Sequence, residues 1–423
     1  MSEGIAAGAV TGGELSGAVL LRRGLRRAQR QKRMAAFLLT LPLLAYVGVL
    51  FLVPLASMVW LSVANPTLGR FMPHTVAALA DWQPTALPPE GAYAAVADDL
   101  RADFLSHRFG RVAKRLNEEA PGAFGLITKT TFRTAHLTPD KPWRDVLEGI
   151  DPQWGQIAIW RLLKRESAPV TADFYLAALD LQYGPNGGIM RVPDYQRVYV
   201  RLFLRTAWMS ALVTALTVLL GYPLAYWISR MPERRANMAM IAVLLPFWTS
   251  LLVRITAWIV LLQSHGVVNS LLVAGGLVAS DNRPHLIFNA VGTIIVMTQV
   301  LLPFMVLPLY SVMRGIPDSY VRAAISLGAH PWHAFWKVFA PLTVPGIGAG
   351  VLLVFILAIG YYITPELVGG QTGQFISNRI AFNVQQSLNW GLAAALGTLL
   401  TVVTLALFAV FNALAGTGRI SLG

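Results

Sequence analysis

A reactive centre in this sequence would have to be built from histidine, lysine, serine, arginine and carboxylate side chains, and their spacing excludes most chemistry. There is no cysteine, which removes disulfides, thiolate nucleophiles, zinc–thiolate sites and cysteine-held iron–sulfur clusters. A nucleotide-binding phosphate loop needs Gly before Lys. The six lysines instead follow Gln31, Ala113, Thr128, Asp140, Leu163 and Trp336. No His precedes a Glu, so H-E-x-x-H is absent, and no Ser stands two residues after a Gly, so the G-x-S-x-G elbow is missing. His330 and His333 stand three apart with no third ligand nearby, and no metal is expected. Two charges stand out beside the apolar runs. Arg254 lies in an otherwise apolar run, eight residues after Pro246. A charge at mid-membrane costs roughly 2.5–3.5 kcal/mol on insertion scales, so it faces a bundle interior or cavity, or snorkels to the interface. Glu366, in "TPELVGG", stands at the end of another apolar run, where it would attract an amine or cap a loop. Trp248, Thr249 and Asn269 are weaker candidates for the same path.

The elements that must position these residues are membrane spans. Of 423 residues, 55% are hydrophobic and 13% charged, against roughly 25% charged in soluble domains; the mean hydropathy is +0.55. A spanning helix needs about 20 mostly apolar residues. Six runs qualify: Met34–Leu61, Leu202–Ile228, Met238–Leu262, Ala290–Met313, Val344–Ile363 and Leu392–Leu414. Seven basic residues (Arg22, Arg23, Arg26, Arg27, Arg30, Lys32 and Arg33) precede the first run and predict a cytoplasmic N-terminus on a retained anchor. "SRMPERRAN" and the stretch bearing Arg314, Arg322 and Lys337 then also fall inside, and an even number of spans puts both termini in the cytoplasm.

Ala64 to Tyr199 form a large insertion between the first two spans. From Arg70 to Arg197 it holds 15 Lys+Arg and 15 Asp+Glu. "AVADDLRADFLSHRFGRVAKRLNEEA" and "QIAIWRLLKRESAPVTADFYLAALDLQY" read as helical. Trp82, Trp143, Trp154 and Trp160 are placed to seed a small core. The reading is a compact extracytoplasmic cap, or a docking surface for a soluble partner, and Arg70–Asp194 is expected to be separable from the membrane core. "GIGAG", Gly346 to Gly350, has the glycine content of a dinucleotide loop but opens a span, where small residues serve close helix packing.

Between the fourth and fifth spans lies "YVRAAISLGAHPWHAFWKVFAPLTVPGIGAG". Pro331 suits a helix's first turn. Trp332, Phe335, Trp336 and Phe339 recur at spacings of three and four, making an apolar face that needs cover from a membrane surface or a partner's groove. Pro341 and Pro345 are expected to stop this short helix and reset the chain into the fifth span. The stretch resembles the cytoplasmic motif E-A-A-x3-G-x9-I-x-L-P of permease subunits of binding-protein-dependent ABC importers. Ala323, Ala324, Gly328 and Pro341 match in spacing, Val338 replaces Ile, and Arg322 stands where the motif has Glu. "LPFWTSLLVRITAWIVLLQSHGVVNSLL", "LLPFMVLPLYSVMRGIP" and "YYITPELVGG…NWGLAAALGTLLTVV" resemble the spermidine/putrescine-type branch.

The resemblance implies an all-α, six-helix type I importer permease in a bacterial inner membrane. It implies that Arg322, Ala323, Ala324, Gly328, Trp332, Phe335, Val338 and Pro341 couple to an ATPase. Its partners would be a second permease, two copies of an ATP-binding subunit that holds ATP and magnesium, and a periplasmic or extracellular solute-binding protein. The chain would itself hold no cofactor and touch lipid but no nucleic acid. The expected organisation is a basic tail at 1–33, a first span at 34–62, the insertion at 63–200, a five-helix core at 201–415 with its coupling loop at 314–343, and a tail at 416–423. A secondary transporter or membrane-anchored sensor would lack a reason for the coupling-type loop.

Overall fold

The computed structural model describes residue 29 and residues 32–106, 109–138, 140–184 and 187–415. The basic residues Arg22 to Arg27 and Arg30, most of the expected N-terminal tail and the tail at 416–423 lie outside them. Six helices are long and apolar enough to cross a membrane. The first, α1 (Lys32–Leu61), belongs to a unit ending at Trp60; the rest of the chain, from Leu61, forms a second compact unit. In α1 a π turn at Gly48–Leu52 precedes Pro54, with the Val53 N–H bonded five residues back to the Gly48 carbonyl. Proline lacks an N–H and its ring crowds the carbonyl four residues earlier. A π turn just ahead of it shifts the ladder by one residue, and the helix continues.

In the second unit, the insertion comprises α2 (Thr67–Phe71), α3 (Pro73–Ala78), α4 (Glu90–Leu105), α5 (Phe109–Glu119), α6 (Ala123–Thr134), α7 (Trp143–Ile150), α8 (Ile157–Glu166) and α9 (Asp173–Ala178). An antiparallel ribbon follows, β1 (Leu181–Tyr183) and β2 (Ile189–Arg191), with Gln182 opposite Met190. The expected tryptophan core is present. Trp154 and Trp160 are fully buried with ring centroids 5.4 Å apart, and Trp82 and Trp143 pack against the same cluster. Each buried indole finds an acceptor, Trp154 on Thr130 Oγ1 and Trp160 on the Trp154 carbonyl, both at 2.9 Å, as buried donors must.

The remaining helices build the bundle: α10 (Tyr199–Ser229), α11 (Glu233–Leu244), α12 (Leu251–Leu262), α13 (Val267–Ala274), α14 (Ala290–Arg314), α15 (Asp318–Ser326), α16 (Pro331–Gly360), α17 (Ile363–Val368), α18 (Ile376–Gln385) and α19 (Trp390–Ala415). Its centre is α14, packed between α10 and α16 around Met297, Leu301, Met305, Val306 and Leu309. The "GIGAG" glycines do serve packing. A Cβ on Gly350 would sit 2.5 Å from Met305 Sδ, and one on Gly346 would lie 3.0 Å from Val312 Cβ. A Cβ at either position would force its neighbour on α14 to shift, so these glycines let the two helices approach closely.

One expectation is corrected. The third apolar run is not one helix over Met238–Leu262. It breaks at Leu245–Ser250, where Pro246 sits in a 3-10 turn and Thr249 and Ser250 are extended, so that the long apolar stretch is Leu251–Ala274. The end of the insertion packs onto the bundle. The Phe174 ring lies against Gly391, where a Cβ would come within 2.3 Å of its Cζ. Phe174 and Ala178 share one buried cluster with Leu202, Ile376, Leu392, Ala395 and Leu396. The Asp180 carboxylate caps α10, accepting from the backbone N–H groups of Val198, Tyr199 and Val200 at 3.1, 3.1 and 2.8 Å. The rest of the insertion is a loop closed by the Ala64–Val170 bridge, where Asn65 N–H donates to the Pro169 carbonyl and Thr171 N–H to that of Val63.

Candidate functional site: a pinned helix at the loop end of the bundle

At the end of the bundle remote from the insertion, α10, α14, α15 and α16 converge. Arg314 closes α10 by donating to the carbonyls of Ser229 and Met231, both at 3.0 Å. Arg230 pairs with Asp318 in the first turn of α15 and stacks over Tyr226 and Phe339, with 4.8 Å to the Phe339 centroid. Asp318 also suits the positive end of that helix's dipole. The other end of α15 is a Schellman motif. Ala329 N–H reaches the Ala324 carbonyl, Gly328 N–H that of Ile325, and Gly328 takes φ +90°. His330 then caps α16, its Nδ1 accepting from the Trp332 N–H at 3.3 Å, and Pro331 opens that helix.

The surface between these pins is what the site offers. Val321 is half-buried against the bundle core and Ala324 half-buried beside it. Arg322, Ala323, Ile325 and Gly328 are exposed, and Leu327 is 89% exposed. Arg322, in the place of the motif's Glu, has no hydrogen bond or ion pair among the described residues. The Ala-Ala–Gly part of the resemblance therefore lies on a separate helix, α15.

The aromatic stretch expected as the coupling helix is instead the start of α16. Pro341 and Pro345 do not stop it. A π turn at Phe335–Phe339, with Ala340 N–H bonded to the Phe335 carbonyl, precedes Pro341 just as Gly48–Leu52 precedes Pro54. Phe335 and Phe339 pack edge-on against Tyr226 at 5.4 and 5.3 Å, and Phe339 is buried. Val338 is half-buried and Pro341 exposed, while Trp332 and Trp336 are 64% and 54% exposed. Half of the aromatic face is thus covered by α10 and half is presented.

The proposed path residues separate. Trp248 and Thr249 are exposed in the break of the third span, with Thr249 Oγ1 bonded to the Pro246 carbonyl at 2.8 Å. Arg254 follows on α12, half-buried, and its Nε and Nη1 are buried with no hydrogen-bond partner among the described residues. Tyr361 lies beside it. Asn269 is fully buried and holds a loop, donating to the carbonyls of Gln263 and Pro284 at 3.0 and 3.2 Å. That places it in structural service, apart from Arg254. Glu366 is exposed on α17, with one oxygen accepting from Asn378 Nδ2 at 2.7 Å.

Sequence reasoning passed over one polar cluster, in the insertion. Glu119, Glu166 and Asp173 bring carboxylate oxygens within 4.8 Å of one another. Two cations face them: Arg115, 3.0 Å from Glu119 Oε1, 2.8 Å from Glu166 Oε2 and 3.4 Å from Asp173 Oδ2, and Arg165, 3.3, 3.4 and 3.5 Å from the same three residues. Burial, then a hydrogen bond with Asp173, pushes Glu166 up to about 8, against the pull of Arg115. The three acids come from separate helices, which is why spacing along the chain did not show them.

Among the described residues, six apolar helical stretches of membrane length and a short helix exposed at one end of the bundle define a multi-pass membrane protein. The family described as "Binding-protein-dependent transport system inner membrane component" matches residues 217–416. The spermidine/putrescine transport system permease protein PotB of Haemophilus influenzae is 33% identical over 224 residues, covering 52% of this chain and 78% of that protein. The inner membrane ABC transporter permease protein YdcU of Escherichia coli K12 is 33% identical over 220 residues, covering 50% and 70%. The solved structure of a bacterial ABC transporter that imports the acidic polysaccharide alginate is similar at 21% identity and a TM-score of 0.41, covering 53% of this chain and 80% of that one. The chain belongs to the family of binding-protein-dependent transport system inner membrane components and is a multi-pass permease subunit of an ABC importer.

Proposed function

We propose that this permease carries a polyamine of the putrescine/spermidine class, and that α15 with Gly328 transmits the motion of a cytoplasmic ATPase to the bundle. The observation that carries the coupling reading is the display of Ala323, Ile325, Leu327 and Gly328 between two fixed ends. The Arg230–Asp318 pair holds one end of α15 and the Schellman turn holds the other. A push on α15 is delivered to the ends of α10 and α14, because Arg230 and Arg314 join them there. In this reading the loop end is cytoplasmic, both termini lie inside, and the insertion faces the solute-binding protein. The partners are a second permease, two ATP-binding subunits that hold ATP and magnesium and perform the hydrolysis, and the binding protein.

The polyamine assignment is supported by the names of the relatives and by Glu366, whose exposed carboxylate stands near the outer end of α16 and suits an amine. Arg254 is then a structural or gating charge in the path, held near Tyr361. The test is uptake of radiolabelled putrescine and spermidine by cells expressing the full transporter, with and without this chain. ATPase-dependent uptake lost on deletion and restored by the chain is expected. Restored uptake of an unrelated solute alone would overturn the assignment.

A further inference from the structure

A cavity of about 650 Å³ lies between α2 and α5 of the insertion and the residues that lead into α19, within the roughly 300–1,000 Å³ typical of small-molecule sites. Its lining holds four cations, Arg70, Arg111, Lys114 and Arg115, against one carboxylate, Glu118. Two of the cations are committed. Arg115 is buried among Glu118, Glu119 and Glu166, and Lys114 donates to the Ser387 carbonyl. The other two, Arg70 of α2 and Arg111 of α5, are exposed, and their side chains have no hydrogen bond or ion pair among the described residues. Both lie over the same half-buried ring, Phe71, with 5.7 and 5.5 Å from guanidinium carbon to centroid. They are therefore no farther apart than the sum of those two distances, a gap that two exposed, flexible side chains can close on a single anion.

The level of this cavity in the membrane follows from α19. That span begins at Trp390, 53% exposed, and Leu388 just before it is 57% exposed. Both line the cavity. Tryptophan at the end of a span sits among the lipid headgroups. Contacts hold α5 at that level: Lys114 bonds the Ser387 carbonyl, Arg115 lies 4.7 Å from the Phe174 centroid, and the Phe174 ring lies against Gly391. Arg111 stands one turn before Lys114 and Arg115 on the same face of α5.

The anion abundant at headgroup level is phosphate, which guanidinium groups recognise well. A headgroup carrying its own ammonium would add a cation to a cluster that already has four, so a headgroup of net negative charge fits best. We infer that this cavity binds the headgroup of an anionic phospholipid from the leaflet on the insertion's side, with its phosphate on Arg70 and Arg111 and its glycerol and first acyl carbons against Leu388 and Trp390. A bound lipid would join α2 and α5 to the start of α19. The inference rests on α19 spanning the membrane and is independent of the polyamine assignment.

The experiment uses the assembled transporter, purified in a neutral detergent. It is titrated with dioleoyl phosphatidylglycerol, dioleoyl phosphatidylcholine and glycerol phosphate, and native mass spectrometry reads the bound fraction. Phosphatidylglycerol is expected to bind saturably, and the other two at least tenfold more weakly. Arg70→Gln and Arg111→Gln should each weaken phosphatidylglycerol at least fivefold, while Arg111→Lys, which keeps the charge, should stay within threefold of the parent. Equal affinity for the two lipids would overturn the site, and glycerol phosphate binding as tightly as phosphatidylglycerol would assign it to a soluble anion instead. Unchanged phosphatidylglycerol affinity in both Gln variants would also overturn it; if those variants then lost stimulation of hydrolysis by the binding protein, the patch would be a protein docking surface.

Discussion

Gly328 is the residue on which the coupling reading turns. At φ +90° it occupies the left-handed region, but a Cβ there would meet nothing within 4 Å. Substitution is therefore strained by backbone conformation, at roughly 1–2 kcal/mol, and not by a clash within the chain. Gly328→Asp should insert normally and keep its companion permease. A charge at the centre of a docked surface commonly costs about 2 kcal/mol or more, so the ATPase should bind on the order of thirtyfold more weakly in a pull-down; full retention would remove α15 from the interface. Arg254→Leu removes a charge whose Nε and Nη1 are buried and unpartnered, which makes membrane insertion easier. Uptake should nonetheless fall severalfold at equal protein level; unchanged uptake would leave Arg254 as a bystander. Glu166 gives a pH dependence with a definite sign. Folding raises its carboxyl from 4.5 to about 8, so between those values the folded state holds a proton that the unfolded chain has released. Stability is then greatest below about pH 4.5 and declines as pH rises towards 8. The insertion's Tm should fall over that window, and Glu166→Gln should flatten the trend at a cost of about 1 kcal/mol at low pH; an equally steep trend in the variant would exclude Glu166 as its source.

At the scale of elements, the chain's prolines teach the most. Helix existence was legible from hydrophobic runs, because six stretches of membrane length leave little alternative. Helix continuity was not. Pro341 and Pro54 follow π turns that shift the ladder and let the helix run on, while Pro246 falls where the backbone turns extended and the helix breaks. Local sequence around the three is similarly apolar and does not by itself separate the two outcomes. At Pro341 it is Tyr226 and the buried Phe339 that hold the helix in line. The Ala-Ala-x3-Gly spacing did locate α15, because Gly328 and the Ala pair are a local turn signal. The cover that α10 gives Phe335 and Phe339 was not legible, since Tyr226 is remote in sequence. The join of α9 to the bundle was likewise invisible: Phe174 and Gly391 meet only in three dimensions. Phe174→Ala should destabilise the assembled permease by about 3 kcal/mol or more. Replacing residues 66–168 by a short Gly/Ser linker should leave the transporter intact, because Ala64 and Val170 are already paired. Extending the excision to residue 194 should abolish assembly, since it removes Phe174 and the Asp180 cap. Equal recovery of both deletions by size-exclusion chromatography would refute the division drawn here.

At the scale of the whole molecule, the two ends of one bundle do different work. One end carries the insertion, tied to α10 and α19 through α9. The other displays α15, tied to α10 and α14 through Arg230 and Arg314. Helix α10 reaches both ends and packs along α14, and small-residue contacts at Gly346 and Gly350 lock α14 to α16. On the coupling proposed above, a push on α15 reaches α10, α14 and α16 through these contacts. The most direct measurement is ATP hydrolysis by the full transporter in proteoliposomes, parent beside Gly328→Asp, with and without the loaded binding protein. The account predicts hydrolysis stimulated by the binding protein in the parent and lost in the variant, with the companion permease still present. Stimulated hydrolysis in Gly328→Asp equal to that of the parent would contradict it.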